Sequence, residues 1–192
     1  MSRPKSKAKP RARKARPKKH SRLKQSSALM AGSVALVGAW EGMKLAAYHD
    51  IVGVPTVCFG ETRGVKMGDK YTKEQCQVML GDGLIEFEAG MRACLKSPDK
   101  IPDGPYIAFL SLSYNIGISG FCRSSVSRNA NKGELIAACN SILLWNRAGG
   151  KVVQGLVNRR KHEQKICLTG LTQPTMIALK EEPDRRWFTW LK

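Results

Sequence analysis

Twelve of the first 24 residues are Lys or Arg, and no acidic residue occurs before Glu41. A stretch so charged, broken by Pro4, Pro10 and Pro17, repels itself and has too little apolar surface to offset the entropy of ordering. Residues 1–24 are therefore expected to form a disordered basic tail, and the fold must come from residues 25–192. Taking the tail's twelve bases from the 33 in the chain leaves 21 against 15 acids, so the formal charge falls from +18 to +6 in the remainder. The length suits one ordinary domain with a short appendage. Hydrophobic residues at 42% and charged ones at 25% exclude wholesale disorder. The tail's partner has to be anionic: nucleic acid, lipid headgroups or acidic wall polymer.

Residues 25–40, QSSALMAGSVALVGAW, carry no charge and follow the basic run directly, which is the order of an export signal. Sixteen residues rich in Ser, Ala and Gly are short for a spanning helix, which needs roughly 20 mostly apolar ones. The segment is thus either an export or anchor-like element or the first helix of the domain. Six cysteines (Cys58, Cys76, Cys94, Cys122, Cys139, Cys167) lack any C-x-x-C pair, and His20, His49 and His162 are scattered. No metal site is expected. Behind an export-like N-terminus, one to three disulfides are expected, and spacing cannot choose among fifteen pairings.

The body reads as mostly helical with one small sheet near its start. Residues 45–60 place β-branched and aromatic residues between glycines, which predicts a hairpin. Thr72 with Gln75 is a capping box, and Cys76, Met79, Leu80, Leu84, Phe87, Met91 and Leu95 then recur at helical spacing over about six turns. Pro105 suits the first turn of a second helix that Gly117 would stop. A third helix is expected around residues 135–143, ending at Gly149 and Gly150, and a last one from about 153 to 168, closed by Gly170.

The chemistry lies near the start. Glu41 follows Trp40 and an aliphatic run, an environment expected to desolvate it and favour its neutral form, whereas Asp50 precedes a Gly-containing turn and should stay ionised. Two carboxyls in unlike surroundings can divide acid and base roles. Thr56 adds a hydroxyl able to donate and accept, suited to fixing a water. The order Glu41, Asp50, Thr56, set in E-G-x-x-L-x-A-Y-x-D followed by G-V-x-T-V-C-x-G-x-T, resembles the phage-type lysozymes of glycoside hydrolase family twenty-four. Further matching segments include residues 71–76, 114–117, 121–125, 145–150 and 155–160, so the resemblance covers residues 41–170.

That resemblance implies an α+β, lysozyme-like fold and a muramidase that cuts the β-1,4 bond between N-acetylmuramic acid and N-acetylglucosamine in bacterial peptidoglycan, as endolysins do. It implies Glu41 as general acid, Asp50 and Thr56 as the residues that position the attacking water, Asn115 and Arg159 as substrate-binding, and no cofactor. Arg159 would approach Glu41 from the final helix. Some endolysins of this kind have a weakly apolar first segment that enters the membrane as an anchor and later slips out, and residues 25–40 have the composition for it. The expected partner is peptidoglycan, with the tail offered to an anionic membrane surface. Nucleic acid is not expected as a partner, and the chain is expected to be a monomer made in the bacterial cytoplasm and acting in the periplasm. The alternative is a non-catalytic wall-binding or phage-assembly module on the same fold. Residues 171–192 form a C-terminal extension ending in Trp187, Phe188, Trp190 and Leu191, for which no role is read.

Overall fold

A helix that is apolar all round must be buried on every side, and residues 104–113 of α3 (Asp103–Arg123) meet that condition without exception. Around it the computed structural model, which describes residues 20–50 and 52–172, arranges the other elements. In chain order these are α1 (Ser27–Gly38), β1 (Lys44–His49), β2 (Pro55–Cys58), α2 (Lys73–Ala93), α3, α4 (Ser125–Lys132), α5 (Leu135–Ser141), β3 (Arg147–Ala148), β4 (Lys151–Val152) and α6 (Gln154–Thr172). Helices α1, α2 and α6 pack against α3, and Tyr106, Phe109, Leu110, Leu112 and Phe121 are fully buried there. Each such side chain contributes about 1.5–3 kcal/mol by leaving water. A second, smaller cluster of Val57, Cys58, Val65 and Cys76 lies under the antiparallel β1–β2 hairpin, where Tyr48 faces Thr56 and His49 faces Pro55.

The capping box forms as its spacing predicts: Thr72 Oγ1 accepts from Gln75 N and the Gln75 side chain accepts from Thr72 N. Pro105 sits in the first turn of α3, where no intrahelical N–H is owed. Gly117 breaks α3 with φ 77° and ψ 155°, yet the helix resumes to Arg123, because Phe121 returns to the core beside Phe109. The expected helix up to Gly149 and Gly150 stops instead at Ser141, followed by a single 3-10 turn over Ile142–Leu144. Gly149 and Gly150 have φ of 55° and 78° and form the two-residue turn between Ala148 and Lys151, a type I′ geometry that two glycines adopt without strain. Helix α4 was not foreseen, although Ser124 caps it through Ser127 N and Gly133 ends it in the left-handed region.

Gly170 does not close α6; it lies buried within that helix. Its partner is Gly104: a Cβ added at Gly104 would stand 2.6 Å from Gly170 Cα and 2.7 Å from Ile166 O. Both obstacles are backbone, so neither can rotate away. Gly104→Ala is expected to cost about 2–3 kcal/mol by overpacking, read as a lower denaturation midpoint at unchanged slope; a loss below about 0.5 kcal/mol would show that α3 and α6 can part freely.

The cysteines pair as Cys58–Cys76, Cys94–Cys122 and Cys139–Cys167. They tie the hairpin to α2, α2 to α3, and α5 to α6. Residues 25–40 contribute α1, which buries Leu29, Leu36 and Val37 in the main core. No helix among the described residues is long and apolar enough to cross a membrane.

The end of the expected tail is a correction. Residues 1–19 lie outside the described residues, as do 173–192, but residues 21–23 are packed on the domain. Ser21 Oγ donates to Glu88, the backbone N–H groups of Arg22 and Leu23 donate to Glu88 Oε1 at 2.8 and 3.2 Å, and Leu23 is 2% exposed. The Arg22 guanidinium lies 4.1 Å over the Tyr106 ring and donates to the Pro98 and Ile101 carbonyls. One buried carboxylate supplies what the charge pattern hid: a fixed acceptor for the chain just before α1.

Candidate active site

Glu41 lies one turn past α1, held by its own N–H donating to Val37 O at 3.1 Å. Two consecutive residues there are held by α6. Trp40 Nε1 donates to His162 Nδ1 at 3.1 Å, and Arg159 Nη1 donates to Glu41 Oε1 at 2.8 Å. The Glu41 side chain keeps 25% of its surface exposed and that of Arg159 5%. The expectation of an apolar pocket around Glu41 is therefore corrected: α6 lays a guanidinium against it, because Arg159 and His162 are three apart and share one helix face.

Behind Arg159 is a charge cluster that sequence reasoning missed. Glu163 Oε1 accepts from Arg159 Nε at 3.2 Å, from Arg160 Nη2 at 3.0 Å and from Ser111 Oγ of α3 at 2.6 Å. Arg160 Nε stands 2.9 Å from Glu163 Oε2. That second contact is close but poorly aligned, since neither atom completes a hydrogen bond. Arg160 and Glu163 are wholly buried. Burial is the main cause that pushes Glu163 up from the usual carboxyl value, against the pull of both arginines, and burial likewise lowers Arg160 to about 10. The signal was present as bases three and four residues before an acid on a helix; what could not be read was that all of them face inward.

Asp50 and Thr56 meet at the other end of the hairpin. Asp50 Oδ1 accepts from Val52 N and Val54 N, both at 2.9 Å, closing a side-chain turn around Gly53. Thr56 Oγ1 donates to Val54 O at 2.9 Å and Thr56 is 3% exposed. Val54 thus links the two, its N–H on the carboxylate and its carbonyl on the hydroxyl. Asn115 is exposed on α3, two residues before the break at Gly117, and its side chain has no hydrogen bond among the described residues. Tyr114, beside it, packs on Phe87 with ring centroids 4.8 Å apart. Burial above all, then the charges of Glu41 and Glu61, push its phenol up. The Tyr114 hydroxyl donates to Phe59 O, just past β2, at 3.5 Å. Two concavities of about 530 and 580 Å3 lie elsewhere, one by Glu61, Arg63 and Glu86 and one by Leu135, Ile136 and Leu171; neither is lined by Glu41, Asp50 or Thr56.

The phage lysozyme family model matches residues 38–163, two thirds of the chain and every residue of the site just described. The chain belongs to the phage lysozyme family. Among its relatives, the SAR-endolysin of Pseudomonas phage phiKMV is 40% identical over 152 residues, covering 77% of this chain and 90% of that protein. The SAR-endolysin of Enterobacteria phage P21 is 38% identical, with 68% and 78% covered. A crystal structure of P22 lysozyme superposes with a TM-score of 0.66 at 31% identity, over 72% of this chain and 96% of that one. The active form of the P1 phage endolysin Lyz gives 0.64 at 27% identity, with 73% and 84% covered. The mostly helical fold with a small antiparallel hairpin is thus the lysozyme-like one. The family match starts at residue 38, so all of α1 but Gly38, and the residues 21–23 that bond Glu88, lie before it.

Proposed function

We propose that this phage lysozyme is an endolysin-type muramidase that hydrolyses the β-1,4 bond between N-acetylmuramic acid and N-acetylglucosamine in peptidoglycan, with Glu41 as the general acid and Asp50 and Thr56 positioning the attacking water. The observation that carries the reading is the family match over residues 38–163, within which Glu41 is partly open just past the end of α1. Arg159 holds Glu41 Oε1, and Oε2 has no hydrogen bond among the described residues, so the free oxygen can carry the proton to the glycosidic oxygen. Asp50 is braced by two backbone N–H groups, which orient a carboxylate without supplying a counter-cation. Thr56 gives its proton to Val54 and keeps lone pairs for a water's hydrogen. Asn115 is free to donate to the glycan. Arg159 is assigned to hold Glu41 and not to touch sugar, since its Nη1 and Nε are both taken by carboxylates. Attack by a free water from the face opposite the leaving group inverts the anomeric centre and requires carboxyls about 6.5–9.5 Å apart.

The cell wall is the site of action, and the chain's positive charge draws it to anionic polymer in a salt-dependent way. We further infer that the protein is made in the cytoplasm and acts in the periplasm, and that a form with residues 25–40 held in a membrane would be inactive. In that form the helical turn that seats Glu41 would be withdrawn from α2 and α3.

The test is turbidity loss of outer-membrane-permeabilised Gram-negative cells, with the released fragments weighed by mass spectrometry. The active chain should begin no later than His20, because Arg22 and Leu23 are part of the fold. The expected products carry a reducing N-acetylmuramic acid end and intact peptide cross-links; fragments cut at amide bonds would overturn the reading. For location, membrane, periplasmic and cytosolic fractions of expressing cells should show the full chain leaving the cytosol.

A further inference from the structure

Arg159 is shared between two carboxylates. Its Nη1 holds Glu41 Oε1 at 2.8 Å and its Nε holds Glu163 Oε1 at 3.2 Å. A guanidinium facing Glu41 alone would bind the carboxylate and oppose the protonated form that a general acid needs. The groups that face Glu163 are Arg159 and Arg160 from its own helix and Ser111 from α3; across Arg159 lies Glu41, and the charges of both reach the Tyr114 phenol. Two acids and two bases therefore balance in a region that, apart from Glu41, is closed to water. We propose that Glu163, with Arg160, is a positioning residue for the reaction: it divides the charge of Arg159, fixing the orientation of Glu41 while leaving Glu41 able to hold its proton. This rests on Glu41 being the acid.

The burial of the cluster makes the effect larger than on a surface, since little solvent screens charges only a few ångströms apart. The sign follows from the charges. Removing the negative charge of Glu163 leaves Arg159 facing Glu41 alone, with the Arg160 charge behind it uncompensated, so Glu41 loses its proton at lower pH. Removing the positive charge of Arg160 does the reverse. A side chain that merely props up α6 has no reason to move the two variants in opposite directions.

The experiment measures kcat and KM on solubilised peptidoglycan from pH 4 to 9 for the full chain, for Glu163→Gln and for Arg160→Met, at low temperature where near-ultraviolet circular dichroism shows the native fold. In Glu163→Gln the alkaline limb of kcat/KM should move down by roughly one pH unit, so that the rate above that limb falls about tenfold, carried by kcat with KM little changed. In Arg160→Met the limb should move up. Should either variant not fold, Ser111→Ala replaces it; loss of the hydroxyl donor weakens the ionised form of Glu163 and should shift the limb down by less than Glu163→Gln does. Limbs that stay in place in folded variants, or that move the same way in Glu163→Gln and Arg160→Met, overturn the proposal. Glu41→Gln run alongside separates the two ideas. If that variant remains fully active, the assignment of Glu41 has failed; if it is dead while the limbs stay still, only the role of Glu163 has.

Discussion

Glu41→Gln is expected to reduce the lytic rate about 10^3-fold while leaving the protein folded. The size follows from the contribution of a positioned general acid, about 10^2 to 10^4-fold. The amide has the shape of the acid and its carbonyl still accepts from Arg159 Nη1, so the contact that seats α6 against residue 41 survives. What disappears is the proton, without which the sugar leaving group departs as an alkoxide. Since the side chain is partly exposed and the substitution isosteric, the denaturation midpoint should change by no more than about 1 kcal/mol in stability. Turbidity loss and thermal unfolding on one preparation check both halves. Wild-type lysis by the Gln variant would remove the catalytic reading and leave a wall-binding module on a lysozyme fold.

The largest effect on stability is expected at Arg160, the bulkiest of the fully buried side chains. Arg160→Met keeps much of the volume and removes the charge, so Glu163 stays buried with Arg159 and the Ser111 hydroxyl as its remaining partners. Breaking a buried pair by deleting one member costs about 3–5 kcal/mol, because the survivor cannot regain its hydration. Arg159 still answers part of the Glu163 charge, which places the expected loss at about 3 kcal/mol, the lower end of that range. Urea unfolding should show a lower midpoint at constant slope. Adding Glu163→Gln to Arg160→Met should return part of the loss, since two neutral groups cost less to bury than one unbalanced ion. A single variant as stable as the wild type would mean that water reaches this cluster.

The proposed site draws Glu41, Asp50 and Thr56 from one short stretch, residues 41–56, whose turn chemistry is local. The Asp50 side chain bonds N–H groups two and four residues on, and the hairpin follows from alternation between glycines. The residues around Glu41 did not show its environment, and only the family resemblance brought Arg159 to it from the final helix. Its partner Arg159 is 118 residues away in sequence, and an aliphatic run before an acid says nothing about what a distant helix brings to it. The expected tail failed at residues 21–23 for the same reason: Glu88 is 65–67 residues away, and a charge count cannot see one buried acceptor.

The amino-acid order alone determined the features that close within a few residues. Thr72 with Gln75 starts α2, Pro105 opens α3, and two adjacent glycines turn sharply, though whether they end a helix or join two strands was beyond it. Tertiary structure alone decided which of fifteen cysteine pairings forms, that Gly170 faces Gly104 and does not end a helix, and that Arg159 divides itself between Glu41 and Glu163. Hydrogen bonds between near neighbours depend on backbone geometry that each residue type carries with it, whereas distant contacts form only once α1, α3 and α6 have excluded water from the space between them.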